Sequence, residues 1–252
     1  MPAPRALLPL SLLTFGLLAT AAWAQSAPPS LGEALVGRRA AAEGRPVSAP
    51  VARYMADEGP SFILDQRTGA AFLRFDGSDE IWVLRPDHGP RGELIWRNDV
   101  GRPVLSASRL GGMTVFTQLR PGGAPVAFHA PAEALRPAQI TPQDLHQRFV
   151  EASVRATRAV GRLVRFEGLM DIRPGEEPVL ADAANLASSA IVRMAARPSR
   201  VVAQIRRVRM TRGPRANAQV SADTVIVTIN PAQGVAGRPS SDRIALAIAR
   251  GR

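Results

Sequence analysis

The chain has 252 residues, with 32 basic against 21 acidic side chains and a net charge of +11, and since it contains no lysine every basic side chain is an arginine. Hydrophobic residues make up 46% and cysteine is absent, which excludes a wholly disordered chain, a disulfide framework, a thiol nucleophile and a Cys-ligated metal. The charge favours anionic partners, although an all-arginine complement beside abundant Ala, Gly and Pro is also what a proteome-wide compositional bias produces.

Residues 1–24 read as a secretory signal peptide. Arg5 and the amino terminus give a positive start, Ala6 to Ala21 an apolar stretch, and Ala22-Trp23-Ala24 a small-x-small cleavage site before Gln25. Ala22, Ala24 and Gln25 are therefore the expected signal-cleavage residues, with the mature chain starting at Gln25. A retained anchor fits less well, because the stretch is marginal against the roughly 20 apolar residues of a spanning helix and carries Pro9. Cleavage leaves 228 residues with no second apolar run of that length, hence no transmembrane helix. The expected location is exported, in the periplasm or cell envelope. Anionic envelope polymers or anionic lipids are the partners such a place offers a basic protein. Nucleic acid is not expected, since 5% aromatics and a single Tyr give little for bases to stack on. A protein partner is not identified.

Residues 25–50 are rich in Ala, Pro, Arg and Gly and read as a linker or weakly ordered arm, with a short helical piece around Leu31 to Arg39. From 51 to 130 the character changes to seven short apolar runs: Phe62 to Leu64, Ala71 to Phe75, Ile81 to Leu84, Leu94 to Trp96, Val104 to Leu105, Met113 to Thr117 and Val126 to Phe128. Turn signals such as Asp76-Gly77, Asn98 to Gly101 and Gly122-Gly123 separate them, the pattern of an antiparallel β meander closed as a sandwich or small barrel. A spanning outer-membrane barrel needs at least about eight strands of roughly 9–11 residues, and these runs fall short.

Residues 138–252 read as an α+β region of two or three helices and a β-hairpin, packed with the β region as one domain or standing apart; the fold class is α+β. Thr141, Pro142 and Asp144 form a helix start with a capping-box variant, and Leu145, Phe149, Ala152, Ala156, Val160 and Leu163 recur at helical spacing to about residue 164. Arg148, Glu151, Arg155, Arg158 and Arg162 occupy the opposite face. A second helix runs from Pro178 to about Ala196 with Pro198 as its stop. Val201 to Arg212 is ambiguous, alternation from Arg207 favouring a strand with a bulge at the Arg pair, and Thr224 to Ile229 is a clearer strand; together they suggest a hairpin. Ser240 or Ser241, helped by Asp242, caps a last helix.

No nucleophile elbow, zinc-binding helix, phosphate loop or dinucleotide motif occurs. No catalytic residue, metal ligand or cofactor site is assigned. His88, His129 and His146 read as solvated loop or helix-surface side chains. Asp76, Ser78 and Glu80 have the alternate spacing of calcium-loop ligands without the rest of the twelve-residue pattern, and a hairpin turn explains them. The densest basic run is Arg206, Arg207, Arg209, Arg212 and Arg215, which on a strand would aim alternate guanidiniums at carboxylates or phosphates; these five are the candidate contacts for an anionic partner.

The strings GPRGELIW at 89–96, GGMTVFT at 111–117 and NPAQGVAGRPSSDRIALAI at 230–248 resemble a family of exported Gram-negative bacterial proteins known only as a domain of unknown function. The resemblance spans most of the chain after residue 24. It implies a periplasmic or envelope location and supplies no catalytic residues, substrate or cofactor. The reading that follows is a noncatalytic periplasmic or envelope module, binding or structural, that meets anionic partners through Arg-rich surface. The alternative is a hydrolase acting on an envelope polymer. Two converging carboxylates with raised pKa in one pocket would favour the hydrolase.

Overall fold

Alternation of apolar and polar residues, interrupted by glycine turns, folds the first half into eight short strands. The computed structural model describes residues 49–56, 59–90, 92–196 and 200–251, all within one compact unit. The expected signal segment with its expected cleavage residues, and the expected arm and short helix up to residue 48, lie outside the described residues. The strands are β1 (Val51–Ala56), β2 (Phe62–Asp65), β3 (Ala71–Phe75), β4 (Trp82–His88), β5 (Leu94–Arg97), β6 (Pro103–Ala107), β7 (Met113–Val115) and β8 (Ala124–Pro131). Each pairs antiparallel with its sequence neighbour, and β1 pairs with β8 to close a barrel. Inside it Phe62, Leu64, Leu73, Leu84 and Leu105 are at most 2% exposed, with Tyr54 stacked on Phe62.

Seven apolar runs thus become eight strands. The additional strand is β1, where Arg53 interrupts a Val-Ala-x-Tyr sequence and hides the alternation. None of the eight exceeds eight residues, and their interior is apolar, the inverse of the polar lumen of an outer-membrane barrel.

Past the barrel, α1 (Pro142–Val160) starts in the capping box: Thr141 Oγ1 accepts the Asp144 N–H, and Asp144 accepts the Thr141 N–H. Expected to reach residue 164, the helix instead stops at Gly161, whose left-handed φ of 74° ends the turn and leaves Leu163 exposed. A short β9 (Arg165–Glu167) precedes α2 (Glu177–Ala195), whose Ala183, Ala184, Ala187 and Ala190 are fully buried and allow close packing on α1. Then come α3 (Arg200–Gln204), β10 (Arg207–Arg212), β11 (Asn217–Ser221), β12 (Thr224–Ile229), a 3-10 segment (Pro231–Gly237) and α4 (Ser241–Arg250), with Ser240 as N-cap.

The second sheet has the order β11-β12-β10-β9. The segment that reads ambiguously divides into α3 and β10. Its expected hairpin with Thr224 to Ile229 does not form: β10 and β12 run parallel and in continuous register from Arg207↔Thr224 to Arg212↔Ile229. The hairpin partner of β12 is β11, a polar stretch of weak strand signal. Val225, Val227 and Ile229 point with Val208 and Met210 into a core shared with the helices, while Arg207, Arg209 and Thr228 face the other way.

Barrel and α/β region meet along a mixed seam. Its apolar part joins Val51, Ile63 and Ile81 to Leu135 and Val235. Its polar part is the amino terminus of α4. Ser241 donates its N–H and hydroxyl to Glu80 at 2.9 and 2.6 Å, and Ser240 donates both of its groups to Asp99 at 2.9 and 2.5 Å. Two barrel carboxylates therefore receive the free N–H groups and positive end of this helix.

Candidate anion-binding cleft

Four guanidiniums line a cleft of about 380 Å³ where the barrel meets α1 and α2. The β3 pleat carries Arg74, the connection from β8 carries Arg136, and α1 presents Arg148 and Arg155 two turns apart on one face. Three carboxylates share the cleft: Asp79 from the β3–β4 turn, Glu151 from α1 and Asp182 from α2.

Their pairing decides what remains available. Arg148 faces Glu151 at 3.5 Å, and Arg155 donates to the Asn185 side-chain Oδ1 at 2.7 Å. Asp182 is held from beneath by Arg238, which is 3% exposed, donates from Nε at 2.5 Å and spends Nη2 on the Ile81 carbonyl at 2.7 Å. Arg74, Arg136 and Asp79 have no hydrogen bond or ion pair among the described residues. The surplus in the cleft is positive, because Arg74, Arg136 and Arg155 outnumber Asp79 once the other pairs neutralise each other. Guanidiniums set around a concave surface suit carboxylate and phosphate oxygens, which accept their paired N–H donors.

Burial pushes the Asp182 carboxyl above its ordinary value; the Arg238 charge opposes this and the Asp79 charge adds to it. Burial likewise raises Glu80, against the two hydrogen bonds from Ser241 and the nearby Arg238 charge. Among the described residues no group of three or more His, Asp and Glu side chains is arranged to hold a metal ion.

The run expected to contact an anionic partner is spread over several surroundings. Arg207 and Arg209, on the solvent face of β10, share Glu167 at 3.0 and 3.1 Å. Arg212 is held by Glu176 at 2.5 Å and by Asp171 at 3.6 Å. Arg206 precedes β10, and Arg215 sits in the β10–β11 loop beside Arg85 and Arg243. Three of the five guanidiniums are thus engaged internally, and none of the five lines the cleft. Of the helix-face arginines, Arg148 and Arg155 reach the cleft, whereas Arg158 and Arg162 are exposed elsewhere. Sequence reading missed Arg74, Arg136, Asp79, Asp182 and Arg238, since only the fold brings these distant positions together. His88, His129 and His146 are exposed, and none enters the cleft. Asp76 pairs with Arg53, Ser78 Oγ accepts the Glu80 N–H, and Glu80 turns into the seam, so the calcium-like spacing is a turn.

No helix among the described residues is long and apolar enough to cross a membrane. Neither a curated protein nor a solved structure matches the chain. A family model does match, over residues 31–248, taking in both the barrel and the α/β region together with the cleft between them. The chain belongs to the family described as a domain of unknown function, DUF4908.

Proposed function

We propose that this protein is a noncatalytic anion-binding module of the bacterial cell envelope, exported by its amino-terminal segment, and that the arginine cleft is its contact with the partner. The observation that carries the reading is the pair Arg74 and Arg136, brought to one concave surface and ion-paired with none of the three carboxylates that share it, next to Arg148 and Arg155. An exposed protein gains little from guanidiniums placed this way unless an anion from outside completes them. The chemistry suits carboxylates or phosphates of an envelope polymer or an anionic lipid. The test is cosedimentation of the purified protein with isolated cell-wall sacculi and with phosphatidylglycerol vesicles, at low and high salt. Selective binding to one of them that survives salt supports the reading. Binding to both that vanishes with salt reduces the charge to nonspecific attraction, and absence of binding at low salt overturns the proposal.

A hydrolase acting on an envelope polymer is favoured by one observation: Asp79 and Asp182 enter the same cleft, and burial raises Asp182. Against it, Asp182 is locked to Arg238 and only 17% exposed. Release of soluble fragments from sacculi by the wild type, lost in Asp182→Asn and Asp79→Asn, would establish the enzyme.

A further inference from the structure

A second pocket lies at the end of the barrel where the β1–β2, β3–β4, β5–β6 and β7–β8 connections gather, which in an up-and-down barrel is one mouth. It encloses about 510 Å³, within the range of small-molecule sites. Its walls are apolar: Phe75, Trp82, Val104 and Phe116, with prolines between them. At one side the wall changes character. Asp242, 8% exposed, accepts from the Asn98 amide at 3.2 Å and pairs with Arg193 at 2.9 Å. Arg102 approaches the same carboxylate only to 3.7 Å, beyond hydrogen-bond reach, and its guanidinium donates to no other described group. One carboxylate thus faces two guanidiniums, leaving a single positive charge at the edge of an apolar chamber.

We propose that this mouth binds a small anionic amphiphile, a monocarboxylate with an apolar body. The body lies on Trp82, Phe75 and Phe116, and the carboxylate takes the free donors of Arg102 with Arg193 behind them. A neutral ligand of the same body gains the walls but not the charge, and a dianion exceeds the charge available. The site is separate from the arginine cleft and does not depend on it.

The probe is decanoate, with decanol as its neutral counterpart, titrated into the full-length protein while tryptophan fluorescence is followed. Trp82→Phe identifies the signal that comes from the pocket wall. Decanoate is expected to saturate at least about ten-fold more tightly than decanol, the worth of one charge-assisted contact. Arg102→Ala, at a side chain 62% exposed and therefore safe for folding, is expected to remove that advantage and leave decanol binding unchanged. Thr117→Trp, which fills the mouth, is expected to abolish both while far-ultraviolet dichroism stays native. Equal affinity for decanoate and decanol, or a decanoate response that persists in Thr117→Trp, overturns the proposal.

Discussion

In the barrel every strand pairs with its neighbour in sequence except at the single β1–β8 closure, whereas β10 in the α/β region pairs with β9 across two helices and with β12 past an intervening strand. The barrel closes on itself and leaves no strand edge. The second sheet leaves two, β9 and β11, and its helices cover only one of its faces. A local meander can be assembled from hairpin signals alone; a parallel sheet gains its core only after long loops have closed. The two regions share the polar seam at α4, and the arginine cleft opens along their junction, so the proposed anion site depends on both kinds of folding at once.

The largest expected effect breaks the junction. Arg238→Ala removes the one guanidinium among the described residues that is bonded to Asp182, itself only 17% exposed, and is expected to cost about 3–5 kcal/mol, as for other broken buried pairs. Asp182→Asn in the same chain is expected to recover part of it, because no charge is then left uncompensated. Urea unfolding of the two variants measures the difference, and equal stability of single and double variant would show that the pair is not coupled.

A comparable loss is expected in either core. Leu73→Ala in the barrel and Leu180→Ala in α2, both fully buried, are each expected to cost about 2–5 kcal/mol. If the seam makes the regions one cooperative unit, each variant lowers one shared transition seen by both tryptophan fluorescence and helical dichroism. Separate transitions in the Leu180→Ala protein would divide the molecule at the seam.

The two regions also differ in how their carboxylates respond to pH. Glu80 is raised by burial, so its contribution is fully present below its unfolded value of about 4.5 and is lost as pH rises through the higher folded value. Glu176 is lowered, chiefly by Arg212, so its contribution is present above about 4.5 and lost as pH falls. Glu80→Gln removes the first dependence. Relative to wild type it is expected to be more stable at pH 8 than at pH 4, read from urea midpoints at the two pH values. A relative stability that moves the other way would mean that Ser241 and the helix end favour the ionised carboxylate over the neutral acid.

The smallest effect is local. Thr141→Ala removes the capping hydroxyl of α1 and is expected to cost about 1 kcal/mol, leaving barrel fluorescence unchanged.

These contrasts follow what could be read from the chain. The capping box at Thr141 and Asp144, the Ser240 cap and most barrel strands announce themselves within a few residues, because turn chemistry and alternation are local. β1 was hidden by Arg53. β11 was hidden by Asn217, Gln219 and Ser221, which face solvent and carry no strand signal until β12 lies beside them. The parallel pairing of β10 with β12 is invisible for the same reason: both strands look like hairpin arms, and only the core under Val208 and Val227 selects the register. The cleft was half legible. Arg148 and Arg155 stood out as a helix stripe, but Arg74 and Arg136 are single arginines in unremarkable surroundings, and the densest run, Arg206 to Arg215, gave no sign that Glu167 and Glu176 would occupy it.

The most direct test of the central claim compares two double variants in the sacculus and vesicle assay at high salt: Arg74→Ala with Arg136→Ala, and Arg206→Ala with Arg215→Ala. The first is expected to lose salt-resistant binding, while the second, with the same change in net charge, is expected to keep it. Equal retention in both, or loss only in the second, would contradict the assignment of the anion site to the cleft.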